Sequence, residues 1–132
     1  MSLLLLDTTF LVDAERGDVA LDDVIDDEDE VAVAAISVAE LLVGVKLSSG
    51  KRRRTRQAYA DDIIDSLRII PYDTAIAREH ADLLAAVRKI GRPRGAHDLI
   101  IAATARATNR AIVTSDTGAF TDLPGVAILR HR

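Results

Sequence analysis

Short unbroken apolar runs alternate along this chain with stretches in which apolar residues recur every three or four positions. The first run, Leu3-Leu4-Leu5-Leu6, stops at Asp7 and reads as a buried strand. Thr8-Thr9-Phe10-Leu11-Val12 then opens a short helix that Gly17 ends. Over residues 18–27 apolar and acidic positions alternate at helical spacing (Val19, Leu21, Val24, Ile25), predicting a second short helix. Residues 31–35 form the second strand candidate. Ser37 follows, and Val38, Leu41, Leu42 and Val45 continue at helical spacing to the polar stop Ser48-Ser49-Gly50. A long helix is expected from the basic cluster at Lys51 to Leu67, with Ala60, Ile63, Ile64 and Leu67 facing inward. Arg68-Ile69-Ile70-Pro71 reads as a short third strand with proline confined to its end. Asp73 is placed to cap a helix over residues 74–90, which Gly91 closes. Gly91-Arg92-Pro93-Arg94-Gly95 is the clearest loop, and a very apolar helix follows it to about Asn109. Residues 111–114 and 126–129 complete the strands, with Leu123-Pro124-Gly125 turning between them.

Apolar strands alternating with helices predict an α/β fold: a mainly parallel five-stranded sheet with helices on both faces. The 132 residues allow one domain, residues 1–132. Aromatics supply only 3% of the chain although 48% is hydrophobic, so the core must be built from Leu, Ile, Val and Ala. The absence of Cys excludes disulfides, thiolate zinc sites and Cys nucleophiles. His80, His97 and His131 are too scattered for a histidine metal cage. Met1-Ser2 carries no positive charge and Asp7 interrupts the apolar run, so no signal peptide is expected and the cytoplasm is the expected compartment.

The formal net charge of −4 hides an asymmetry. Residues 1–50 hold 12 acidic and 2 basic side chains, whereas residues 51–132 hold 9 acidic and 15 basic ones. The basic excess sits at Lys51, Arg52, Arg53, Arg54 and Arg56, and again at Arg88, Lys89, Arg92 and Arg94. Such a division suits a protein that meets a polyanion on one face, although two solvated helix ends and a polar loop are the simpler account of charge alone.

Parallel topology brings every strand's carboxyl end to one edge, where ligands bind in open sheets. Asp7 follows the first strand there, Glu40 lies in the helix after the second, and Asp116 comes two residues beyond Thr114 at the end of the fourth. Asp98 lies in the first turn of the helix that the basic loop introduces. Each has a plainer reading. Ser37 and Glu40 have the spacing of a capping box, Asp98 suits a positive helix end, and Asp7 and Asp116 suit turns or caps. Together, however, clustered carboxylates repel one another, and a hard divalent cation is the usual remedy. An oxygen-only donor set suits Mg²⁺ or Mn²⁺. Arg92 and Arg94, then Lys46 and the cluster containing Arg52, are the candidates for offsetting the acidic edge toward a nucleic-acid backbone. Asp73 also follows a strand, but an edge position for that strand assigns it to capping. His97 is expected beside the site and His80 packed on its helix. No phosphate-cradling glycine loop and no serine-hydrolase elbow is present.

These residues resemble those of PIN-domain ribonucleases, and more narrowly VapC-type toxins of toxin–antitoxin pairs. The resemblance runs from Leu3 to about Leu129. It is carried by Leu4-Leu5-Leu6-Asp7-Thr8-Thr9-Phe10, Ile36-Ser37-Val38-Ala39-Glu40-Leu41, His97-Asp98-Leu99-Ile100-Ile101-Ala102-Ala103-Thr104-Ala105, and Val113-Thr114-Ser115-Asp116 with Phe120. It implies a three-layer α/β/α fold and Mg²⁺- or Mn²⁺-dependent hydrolysis of RNA by a metal-activated water. Asp7, Glu40, Asp98 and Asp116 match the acidic quartet that holds the metal. Thr114 matches a supporting hydroxyl, and Thr9 a small polar position beside the first acid. The resemblance further implies a homodimer inhibited by a small VapB-type antitoxin, which can place an Arg in the acidic site. Where some relatives carry a further acid after the fourth, Gly118 and Ala119 stand here, so one firm metal site and at most a weaker second are expected. The alternative is a PIN-like module that grips RNA or protein without cutting. A phosphotransferase with a carboxylate nucleophile lacks its usual late-strand Lys, where Leu129-Arg130 stands, and a second acid at Thr9.

Overall fold

The computed structural model describes residues 2–130; His131 lies outside them. Ten regular elements follow one another as β1 (Leu3–Leu6), α1 (Thr8–Glu15), β2 (Glu30–Ala34), α2 (Ala35–Lys46), α3 (Gly50–Ser66), β3 (Arg68–Ile70), α4 (Thr74–Ile90), α5 (Ala96–Ala107), β4 (Ala111–Thr114) and β5 (Ile128–Arg130). The sheet order is β3-β2-β1-β4-β5 and every pairing is parallel. β1 therefore lies at the centre, flanked by β2 and β4, which explains why it reads as an unbroken apolar run rather than an alternating one.

Successive strand residues point to opposite faces, and the core divides accordingly. Leu5, Ala32, Ala34 and Ile112 pack with α4 and α5 through Ile76, Leu83, Leu99 and Ala102. Leu4, Leu6, Val33 and Val113 pack on the other side with Phe10, Leu41, Val45, Ala60 and Ile63 from α1, α2 and α3. The result is a three-layer α/β/α arrangement. Small residues make it close: Ala102, Ala103 and Ala105 of α5 are all at most 1% exposed.

Two local expectations need correction. Residues 18–27 form no α-helix; only a 3₁₀ turn at Leu21–Asp23 appears. Their apolar spacing is helical, but Asp22 and Asp26, and Asp23 and Asp27, would stack like charges one turn apart, and only Val19 of the apolar set is buried. The last strand runs over Ile128–Arg130 rather than residues 126–129, because Gly125 at φ +71° and a Val126 N–H to Leu123 C=O bond keep the chain in its turn. Asp73 does cap α4, accepting from the Ile76 N–H at 3.0 Å, and β3 does lie at the sheet's edge. Gly91 closes that helix in the left-handed conformation, as a glycine there permits.

Candidate active site

Asp7 leaves the carboxyl end of the central strand, where its N–H bonds the Val113 carbonyl of β4. Its side chain then caps α1, accepting the Phe10 N–H at 2.9 Å. Both carboxylate oxygens also accept from the Thr9 hydroxyl, at 2.9 and 3.0 Å, and one accepts from Thr114 at 2.6 Å. The residue is only 2% exposed. Burial raises its pKa above the ordinary carboxylate value, against the lowering pull of Thr114, Phe10 N–H and Thr9; the nearby charge of Asp98 raises it further. Thr114, itself fully buried, also accepts the backbone N–H of Asp116 at 2.9 Å. One hydroxyl thus orients two of the four acids.

Glu40 arrives by a different route than a capping box. α2 starts at Ala35, two residues before Ser37, so Ser37 is inside the helix and caps nothing. Glu40 instead accepts from the Thr8 hydroxyl at 2.7 Å, and Thr8 Oγ1 lies 3.0 Å from the buried Ser37 Oγ. Its other carboxylate oxygen is 3.5 Å from His97 Nδ1, so His97 stands beside the site as expected. His80 is occupied elsewhere, 2.9 Å from the Tyr72 hydroxyl.

Asp98 sits in the first turn of α5. Partial burial is the main cause that raises its pKa, followed by repulsion from Glu40 and from Asp116, with His97 opposing. Gly95 leaves room for it: a Cβ there would stand 3.0 Å from Asp98 Oδ2. Asp116 begins the short turn Thr117–Ala119 without capping it through its side chain.

Asp7, Glu40 and Asp98 line one open pocket of about 310 Å³, together with Thr8, Thr9, Asp13 and Arg16. Asp116 is near enough for its charge to be felt at Asp98. Asp13 escaped the sequence reading, although it stands one turn beyond Thr9 on the same face of α1. Its Oδ2 accepts from Ser115 at 2.6 Å, linking α1 to the residue before Asp116. Thr8 and Ser37 were also missed. Nothing in either sequence neighbourhood signals a contact across 29 residues.

The basic candidates separate. Arg94 donates to the carbonyls of Thr121 at 2.8 Å and Arg92 at 3.1 Å, and Arg92 stands 3.9 Å from Asp122; neither lines the acidic pocket. Lys46 is exposed at the end of α2. Arg52 lines a larger groove of about 680 Å³ between α1, α2 and α3, which meets the acidic pocket at Val12, Arg16 and Glu40.

The donor chemistry at the pocket suits a hard divalent cation: all candidate ligands are carboxylates, and that of Asp98 is repelled by both Glu40 and Asp116. Among the described residues no three Asp, Glu or His side chains are already gathered tightly enough to hold an ion.

The sequence pattern of the PIN domain matches residues 4–126, nearly the whole chain. The chain belongs to the PIN-domain family. This PIN domain is 37% identical over 92 residues to the VapC ribonuclease Y4jK of Sinorhizobium fredii, covering 67% of this chain and 66%, just under two thirds, of that protein. In structure it matches VapBC2 of Rickettsia felis, determined bound to a DNA fragment from its promoter, with a TM-score of 0.88 at 24% identity and 98% and 99% of the two chains covered. It matches VapBC-5 of Mycobacterium tuberculosis, a member of the VapBC family of toxin-antitoxin systems, with a TM-score of 0.80 at 27% identity over 99% and 100%.

Proposed function

We propose that this PIN domain is a metal-dependent endoribonuclease, the toxin of a toxin–antitoxin pair, that hydrolyses RNA at the pocket between β1, α2 and α5. The observation that carries the reading is the convergence of Asp7, Glu40 and Asp98 on that pocket, with the charge of Asp116 close behind Asp98. A domain that only bound RNA would gain nothing from carboxylates that repel both one another and its ligand. Ribonuclease activity is supported by the VapC relative, and a VapB-type antitoxin as partner by the structural match to a toxin–antitoxin system. A homodimer acting in the cytoplasm completes the proposal, on the family resemblance. Among the described residues no helix is long and apolar enough to cross a membrane.

Asp7, Glu40, Asp98 and Asp116 would hold Mg²⁺ or Mn²⁺. Such an ion polarises the phosphoryl oxygen and lowers the pKa of an attacking water. The chain's own contribution is orientation. Thr9, Thr114 and the Phe10 N–H fix Asp7, so it is the rigid anchor of the set. Thr8 holds Glu40 at the opposite wall. Arg16, at the rim, is the cation nearest to receive a backbone phosphate.

The test is cleavage of a labelled pool of structured RNA, including intact tRNA and ribosomal RNA, with Mg²⁺, Mn²⁺ or EDTA. An Asp7→Asn variant prepared identically is the control. Metal-dependent cuts absent from the control are expected. Cutting that persists in EDTA or in the variant would refute the assignment of the site, and no cutting of any RNA would favour a binding module.

A further inference from the structure

The chain carries two basic surfaces, and the structure treats them differently. On the loop before α5, Arg94 is engaged in binding the Thr121 carbonyl, while Arg92, exposed and 3.9 Å from Asp122, lies outside both the acidic pocket and the groove that meets it. At the start of α3, Lys51, Arg52, Arg53, Arg54 and Arg56 crowd the positive end of the helix macrodipole, where cations are unfavourable. α3 has no acidic residue in its first turn to offset them. Arg53 finds compensation at the carboxyl end of α2, through the carbonyls of Val45 and Lys46, and Arg56 through that of Gly44. Lys51 and Arg52 have no side-chain hydrogen bond or ion pair among the described residues, and both are exposed. Their position opposes the stability of their own helix and leaves both free to meet an anion.

What they face is the groove of about 680 Å³ between α1, α2 and α3. Arg16, Lys51, Arg52 and Arg56 supply its positive charge against Glu15 and Glu40, while Val12, Leu41 and Tyr59 supply apolar surface. Tyr59 is locked in place by its hydroxyl donating to the Leu11 carbonyl at 2.7 Å, and burial pushes its pKa up to about 12. Because Val12, Arg16 and Glu40 belong to both cavities, a chain lying in the groove leads directly to the acids. A single-stranded nucleic acid presents phosphates and uncovered bases at once, matching cations beside an apolar wall. A duplex hides its bases.

We propose that the groove between α1, α2 and α3 is the track for the single-stranded RNA flanking the scissile phosphate, with Arg16, Lys51 and Arg52 binding its phosphates. The inference rests on the reading of the site as a ribonuclease and deepens it.

The test measures binding of a short labelled single-stranded RNA to the full chain in EDTA, as fluorescence anisotropy over a series of salt concentrations. Lys51→Gln/Arg52→Gln is compared with the unaltered protein and with Arg92→Gln. Each cation that no longer neutralises a phosphate of a single strand lowers the slope of log affinity against log salt by about 0.7, so the double variant should lose about 1.4 and bind about 25-fold more weakly at 0.1 M salt. Its thermal midpoint should not fall, since two cations leave a positive helix end. Arg92→Gln should match the unaltered protein, and a blunt RNA duplex should bind more weakly than the single strand. An unchanged slope in the double variant, or a larger loss in Arg92→Gln, overturns the track. So does a double variant that keeps its RNA affinity and instead loses a protein partner. Cleavage by the unaltered protein, read in parallel, separates the two ideas: no cutting with the slope loss intact overturns catalysis and keeps the track, whereas cutting with an unchanged slope does the reverse.

Discussion

Thr114→Val removes one hydroxyl from the buried centre of the site and keeps the shape of the side chain. That hydroxyl donates to Asp7 at 2.6 Å and accepts from the Asp116 N–H at 2.9 Å. A hydrogen bond to a charged group contributes about 1.5–3 kcal/mol, and the half-buried Asp116 N–H can turn to water, so a loss of about 2–3 kcal/mol is expected at neutral pH. With about 2.1 cal/mol/K of unfolding entropy per residue over 132 residues, each kcal/mol moves the midpoint by roughly 3.6 °C, which makes the drop about 7–11 °C. The loss should depend on pH. Burial holds the folded pKa of Asp7 above its unfolded value, so its ionisation costs stability as pH rises through the folded value, and this cost is absent below the unfolded one. Without Thr114, the largest opposing influence, the folded value rises further. The variant's deficit should therefore be greatest above its folded pKa and shrink toward the neutral hydrogen-bond range, about 0.5–1.5 kcal/mol, once Asp7 is protonated in both proteins. Circular-dichroism melting in EDTA across a pH series reads this directly, with Thr114→Ser as the variant that should recover. A deficit that is independent of pH, or below about 0.5 kcal/mol throughout, would refute the role given to this hydroxyl.

Asp98→Asn removes a carboxylate repelled by Glu40 and Asp116, so its metal-free midpoint should be no lower than that of the unaltered protein. It should lose most of the gain that the unaltered protein shows with metal at a hundred times its dissociation constant, about 2.7 kcal/mol by calorimetry. Gly95→Ala sets a methyl 3.0 Å from Asp98 Oδ2; the Mg²⁺ concentration for half-maximal cleavage should rise severalfold while the midpoint stays within a few degrees. At the opposite end of the sheet, Arg110 is 5% exposed and donates to the carbonyls of Leu4 at 3.2 Å and Glu30 at 3.0 Å and to the Glu30 carboxylate at 2.6 Å, with its Nε–H left unpaired. Arg110→Met keeps the stem, forfeits three charge-assisted bonds, one of them to the half-exposed Glu30 carboxylate, and relieves the unpaired donor, for a net loss of about 2–4 kcal/mol in urea unfolding.

The strands and most helices were legible because burial writes itself into hydrophobic spacing: β1 in the run 3–6, α4 between the Asp73 cap and Gly91. Asp7 and Asp116 were legible because topology alone carries them to the sheet's carboxyl edge, whereas Asp98 depends on the helix that the basic loop introduces. The failures have physical causes. Apolar period ignores charge, so the stretch around Asp22–Asp27 looked helical although its like charges oppose a helix. The capping-box spacing of Ser37 and Glu40 says nothing of where α2 begins, and its start at Ala35 freed Glu40 to meet Thr8. Nearness in sequence does not bring Arg92 and Arg94 into the acidic pocket, because they precede Asp98 but turn with their loop toward Thr121 and Asp122. Arg110 gave no signal, because its partners lie 80 and 106 residues away.

The dual office of Asp7, as cap of α1 and as acid of the pocket, makes the four carboxylates unequal in the ways they can be lost. A selection that rewards silencing of this gene should recover folded, soluble inactive proteins mainly with changes at Glu40, Asp98 or Asp116. Changes at Asp7 that discard its acceptor oxygens should surface instead as chains degraded before they accumulate. The spectrum of escape, sorted by protein abundance, would then be a map of which acid the fold itself depends on.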